Sequence, residues 1–147
     1  MKLEGDLEIN ASQEVVWTLL NDPKILKKHL PGCESLNLTA EDRYEAVISI
    51  GVGPIRGTYQ AQFEILNKQP PQSYTLRIEG KGKPGFVKGE GHVTLEERGA
   101  RTLLKYSGDL MVGGVIARVG QRLIGSISKK MTRQFFQDLG QEAESAG

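Results

Sequence analysis

Between Glu34 and Val112 the chain alternates apolar and polar residues at period two. The clearest runs are Tyr44/Ala46/Ile48/Ile50, Ile55/Gly57/Tyr59/Ala61/Phe63/Ile65, Tyr74/Leu76/Ile78 and Leu104/Tyr106/Leu110. Period-two alternation marks strands that bury one face. It predicts six strands, at roughly 34–39, 43–52, 55–67, 73–82, 86–97 and 101–112. A seventh precedes them at Lys2–Asn10, where Leu3, Gly5, Leu7 and Ile9 share one side. Two short helices follow that first strand. Ser12 caps one that runs through Leu20, and Asp22 caps the other with Pro23 at its first position, until Pro31-Gly32 stops it. After Val112 the period changes. Following Gly113-Gly114, the residues Ile116, Val119, Leu123, Ile127, Met131 and Phe135 fall on one face at about 100° per residue, predicting an amphipathic helix from Val112 to Leu139.

Strands joined by short turns pair as an antiparallel meander, and one face of such a sheet stays bare unless the long helix covers it. The expected architecture is α+β, a helix laid on a curved sheet. No repeat or linker interrupts it, so residues 1–147 are expected to form one domain. Alternate hairpins of a meander point to opposite ends. The turns near Thr39–Arg43, Asn67–Ser73 and Glu96–Ala100 are polar. The turns at the other end carry Val52, Pro54, Ile55, Pro84, Phe86, Val115 and Ile116 among glycines. Three apolar loops at one end are expected to form a cavity mouth, a membrane-touching rim or a partner surface, unless they fold back over the core.

Gly accounts for 18 of the 147 residues, about 12% against a usual ~7%. Strand parity puts Gly57, Gly80, Gly82, Gly89, Gly91 and Gly108 on the face toward the helix. Inward glycines leave room between helix and sheet, and they also permit strong coiling of the sheet.

Charge adds one local feature. The net charge is only +1, which implies no bulk attraction to nucleic acid, and no nucleic-acid-binding motif is present. Yet no acid occurs between Leu110 and Asp138, and Arg118, Arg122, Lys129 and Arg133 line one side of the predicted helix, with Phe136 beside them. Such a face is either solvated or suited to an anionic membrane or an acidic protein. Lys24, Lys27 and Lys28 add positive charge on the second short helix. The single cysteine, Cys33, excludes an internal disulfide framework, and the N-terminus has no signal-like apolar run, so a reducing, cytoplasmic location is expected. No stretch approaches the ~20 apolar residues of a spanning helix.

Catalytic signatures are sparse. His29 and His92 lack metal-ligand spacing to each other or to Cys33, so no metal is expected, and a Cys33–His29 pair would straddle the Pro31-Gly32 break. Gly80-x-Gly82-x-x-Gly85 matches a dinucleotide fingerprint by spacing alone, because it contains Pro84 and opens no helix. Glu90 and Asp109 fall on the outward parity of their strands.

Several segments together resemble one family. They are Leu7-Glu8-Ile9-Asn10-Ala11, Val16-Trp17 followed by Leu20-Asn21-Asp22-Pro23, Leu30-Pro31-Gly32-Cys33-Glu34-Ser35, the run from Gly51 to Tyr59, Gly89-Glu90-Gly91, and Gly113-Gly114. This pattern resembles the carbon monoxide dehydrogenase CoxG family, within the START-like, helix-grip (SRPBCC) superfamily. The resemblance implies a helix-grip fold, with a seven-stranded curved antiparallel sheet wrapped around a long C-terminal helix and two short helices after the first strand. It also implies a hydrophobic cavity, an accessory role beside a molybdenum hydroxylase such as carbon monoxide dehydrogenase, placement at the inner face of the cytoplasmic membrane, and binding of a lipophilic quinone such as menaquinone or another lipid, with no covalent cofactor. Longer members carry a C-terminal membrane segment, whereas this sequence stops at Gly147, so reversible membrane contact is expected instead.

On this reading the ligand walls are Tyr59, Phe63, Leu76, Ile78, Tyr106, Leu123, Ile127 and Met131, with the hydroxyls of Tyr59 and Tyr106 available to a carbonyl or carboxylate. The protein is expected to be a non-enzymatic binder. The rival expectations are a cyclase- or hydrolase-type enzyme using a pocket tyrosine, and an adaptor with a filled core.

Overall fold

The computed structural model describes residues 1–51 and 53–146; Val52, one of the expected mouth residues, lies outside them. The strands are β1 (Lys2–Ile9), β2 (Cys33–Ala40), β3 (Arg43–Ile50), β4 (Gly57–Gln69), β5 (Ser73–Gly82), β6 (Gly85–Arg98) and β7 (Arg101–Gly113). They form one antiparallel sheet in the order β1-β7-β6-β5-β4-β3-β2. Six follow as the meander predicts. The closing pair is β1 with β7, in register from Lys2 opposite Asp109 to Ile9 opposite Thr102. The helices are α1 (Gln13–Leu20), α2 (Pro23–His29) and α3 (Gln121–Ala146). Ser12 and Asp22 cap α1 and α2 by accepting from the amides of Val15 and Lys24, which satisfies donors that the first turn leaves free.

The long helix differs from its sequence expectation at both ends. Strand β7 runs on to Gly113, a 3₁₀ turn occupies Val115–Val119, and Gly120, at φ 99°, turns the chain again before α3 starts at Gln121. Ile116 explains the delay. Its amide donates to the Pro84 carbonyl at 2.7 Å, and its side chain is buried against Gly85, where no side chain stands in the way. At the far end α3 continues past Leu139 because Leu139, Gly140 and Ala143 are still buried. Gly140 sits against Leu7 and Ile9 of β1, where even a methyl group would be tight. A stripe drawn through Ile116 and Val119 therefore mixes two elements. The buried side of α3 carries Ile124, Phe136, Leu139 and Ala143 instead.

The core lies at one end of the space between sheet and helix. Ile9, Val16, Leu20, Leu104 and Leu139 are almost wholly buried there, with Tyr74, Val93 and Leu95 around them and Trp17 edge-on to Tyr74 at 5.7 Å. Burial of this kind stabilises at about 25 cal/mol per Å² of apolar surface. Thr102, the one polar side chain fully buried here, donates to the Ala11 carbonyl at 2.8 Å.

Candidate functional site

Away from this core the inner face of the sheet sets glycines among its apolar side chains. Across β4 to β7 one row reads Ala61–Gly80–Val87–Val112, the next Phe63–Ile78–Gly89–Leu110, and the next, from β5 through β7 to β1, Leu76–Gly91–Gly108–Leu3. Nothing lies within 4 Å of the point where a Gly80 side chain would begin, whereas Gly91 and Gly108 face each other's main chain. Two glycines serve neighbours instead: Leu110 leans over Gly89, and the Tyr106 ring over Gly5. Helix α3 lies closest to β1, α1 and α2, and its Phe136 reaches Tyr106 of β7. Between the strands β5–β7 and the start of α3 lies an open pocket of about 690 Å³. This is within the ~300–1,000 Å³ typical of small-molecule sites. Its lining combines Ile78, Gly89, Leu110, Val112, Ala117, Gln121 and Ile124 with the exposed charged residues Arg77, Glu79, Lys88, Glu90 and Asp109. A second depression, of about 490 Å³, lies over β2–β5 and is lined mainly by polar side chains such as Asn37, Gln60, Gln62 and Glu79.

Of the expected wall residues, Ile78 lines the larger pocket. Phe63, Leu76 and Tyr106 pack against the core and stand at its boundary. Ile127 and Met131 are half-buried on α3. Leu123 is not a wall: at 41% exposure it stands on the outside of α3, a consequence of the later helix start. Tyr59 is buried, but its hydroxyl donates to the Ile55 carbonyl at 2.6 Å, so that proton is already committed to the main chain. Burial also pushes the Tyr59 phenol up from its usual value. Gln121 is the one uncharged polar side chain in the pocket lining. It escaped sequence reasoning because the residue sat inside a helix that was expected to start earlier. Leu110 and Val112 were legible from the parity of Tyr106.

At the expected mouth, Ile55 and Ile116 point inward and are buried, Pro84 and Phe86 are half-buried, and Pro54 and Val115 are exposed. Of the basic side, Arg118, Arg122, Lys129 and Arg133 are all exposed, although Arg118 belongs to the 3₁₀ turn. Phe136 does not join them. It is buried and stacked on Tyr106, ring centroids 4.5 Å apart and planes 16° from parallel. Glu90 and Asp109 are both exposed, as their parity predicts, with Glu90 3.7 Å from Arg77, yet all three border the larger pocket. Among the described residues no group of His, Cys, Asp and Glu is placed to hold a metal ion, and no helix is long and apolar enough to cross a membrane.

The family model for the G-type subunit of carbon monoxide dehydrogenase (CoxG) matches residues 5–144. The chain belongs to the CoxG family. A conserved protein from Geobacillus kaustophilus has a similar structure at 37% identity and TM-score 0.95, with 99% of this chain and 97% of that one covered. A START superfamily protein from Mycobacterium smegmatis shares the fold at 13% identity and TM-score 0.78, with 99% of each chain covered. So does the Zhui aromatase/cyclase of Streptomyces sp. R1128, at 13% identity and TM-score 0.74, covering 98% of this chain and 93% of that one. The fold is therefore START-like, a helix-grip arrangement. No match is found among curated proteins.

Proposed function

We propose that the protein is a non-enzymatic carrier of an apolar small molecule, a lipophilic quinone such as menaquinone or a fatty-acyl lipid. Its partner would be a molybdenum hydroxylase of the carbon monoxide dehydrogenase type, and its working place the inner face of the cytoplasmic membrane. The observation that carries this reading is the open, partly apolar pocket of about 690 Å³ that Ile78, Gly89, Leu110 and Val112 of the sheet form with Gln121 and Ile124 of α3. A sheet packed for stability alone would fill such a space, since each unfilled methylene forfeits dispersion and transfer energy. Family membership supports the accessory role and the hydroxylase partner. The walls supply apolar burial, and Gln121 is the side chain placed to donate a hydrogen bond to a quinone carbonyl or a carboxylate. The committed Tyr59 proton weighs against a cyclase that uses that residue.

Native mass spectrometry of gently purified protein, followed by titration with menaquinone, tests the reading. Co-purified apolar ligand or saturable uptake supports it. A protein that emerges empty and takes up neither menaquinone nor a fatty acid is an adaptor, and the proposal fails.

A further inference from the structure

Strand β2 forms one edge of the sheet, and among the described residues no strand lies on its far side. Edge strands are commonly blunted by lysine or proline, which discourage further pairing. β2 reads Cys-Glu-Ser-Leu-Asn-Leu-Thr-Ala and has neither, whereas every other strand contains a lysine or an arginine. Asn37, Leu38, Thr39 and Ala40 are all exposed, Leu38 by 57%.

The register decides which main-chain groups of β2 are free. The Ser49 amide donates to the Gly32 carbonyl at 2.9 Å, so Ser49 turns its main chain toward β2. Alternation along an antiparallel strand does the same for Val47 and Glu45, which stand opposite Ser35 and Asn37. Leu36 and Leu38 therefore turn their N–H and C=O groups to the open edge. Irregularities between Cys33 and Ser35 and between Leu38 and Ala40 confine the regular stretch to Ser35–Leu38.

We infer that this edge pairs with a second copy of the chain, β2 against β2, antiparallel about a two-fold axis at Asn37. Leu36 then lies opposite Leu38 of the second copy, and each such pair can exchange both main-chain hydrogen bonds. The side chains are self-complementary in this register. Leu38 gains an apolar cover, Ser35 meets Thr39 and Glu34 meets Ala40, with no like charges opposed. Farther out, Glu41 comes opposite Cys33 of the second copy, and Lys27 stands near that thiol. Lys28 and Asp42, their neighbours, are paired within the chain at 2.7 and 2.9 Å. Lys27 and Glu41 are exposed and reach no opposite charge among the described residues. A two-fold contact uses the same edge of both copies and so closes at two. The paired stretch is short, below the ~1,200 Å² of a standard interface, so the dimer is expected to be weak and concentration-dependent. The larger pocket has no residue of β2 in its lining, and pairing needs no ligand.

Sedimentation velocity over roughly 5–500 µM, a range suited to weak association, tests the pairing. Wild type is expected to pass from monomer to dimer and no further. Leu38→Lys alters two cross-strand pairs per dimer and is expected to weaken it about tenfold. Asn37→Lys, which opposes two cations at the axis, is expected to act in the same direction. Met111→Lys, a change at an exposed apolar residue of β7, is expected to leave association unchanged. Thermal melts near wild type confirm that the variants are folded. The register has its own probe. In a Cys33→Ser background, Asn37→Cys is expected to form a disulfide-linked dimer on mild oxidation, because residues facing each other there have Cα atoms about 4.5 Å apart. Thr39→Cys in the same background is expected to stay unlinked. A wild type that remains monomeric throughout, association unaffected by Leu38→Lys and Asn37→Lys, or cross-linking through Thr39→Cys instead of Asn37→Cys overturns the inference.

Discussion

Tyr106 of β7 and Phe136 of α3 stack face to face at 4.5 Å, and Phe135 meets Phe136 edge-on at 5.1 Å. This aromatic group fastens the helix to the sheet beside the packed core. Phe136→Ala removes a buried ring and is expected to destabilise by about 3–5 kcal/mol, with Phe136→Leu costing less. Chemical denaturation reads both. A loss within about 0.5 kcal/mol would mark Phe136 as a surface residue.

The glycines divide into two kinds, and substitution separates them. Gly108 faces the Glu90 carbonyl at 3.1 Å from where its side chain would start. Gly108→Val is therefore expected to force strands apart at a cost of about 1–3 kcal/mol. Gly80 has open space above it, so Gly80→Leu is expected to fold normally and to reduce uptake of an apolar fluorescent probe. Unchanged uptake would show that this part of the cleft is not used.

Tyr59 and Gln121 make a second contrast. Tyr59→Phe deletes a buried hydroxyl bonded to the turn at Gly53–Ile55, so a stability loss of about 1 kcal/mol is expected with ligand affinity unchanged. Gln121→Ala is expected to leave the melting temperature alone and to weaken menaquinone binding. The opposite pattern would restore Tyr59 as the ligand's partner.

Glu142 ties α3 to α2, accepting from Lys28 Nζ at 2.7 Å with His29 Nε2 at 3.4 Å. The Lys28 hydrogen bond, and after it that of His29, hold the Glu142 carboxyl below its usual value of 4.5. A carboxylate lowered in the native state stabilises it above the unfolded pKa, and that stability is lost as pH falls through the native pKa. Glu142→Gln should thus lower Tm slightly at neutral pH, with the gap to wild type closing on acidification below 4.5. A gap that widens in acid would contradict the assignment.

Much of this was legible in the chain itself. The strands fall within a few residues of their expected bounds because period-two alternation reports a half-buried sheet directly, and Ser12 and Asp22 mark helix starts by a local hydrogen bond. The inward parity of Gly80, Gly89, Gly91 and Gly108 follows from the same alternation, and the register bears it out.

What the sequence by itself determined is therefore the meander, its two helical interruptions, the face that carries the glycines and the contrast between a polar end and a glycine-rich end. Those features depend on neighbours along the chain. Only the tertiary structure decided where α3 begins and which way it is turned. Ile116 prefers the space beside Gly85, 31 residues earlier, and that long-range contact holds residues 115–119 out of the helix. The rotation that follows buries Phe136 on Tyr106 and turns Leu123 outward. A helical period specifies a stripe but not which element each residue joins, and packing between distant strands settles that.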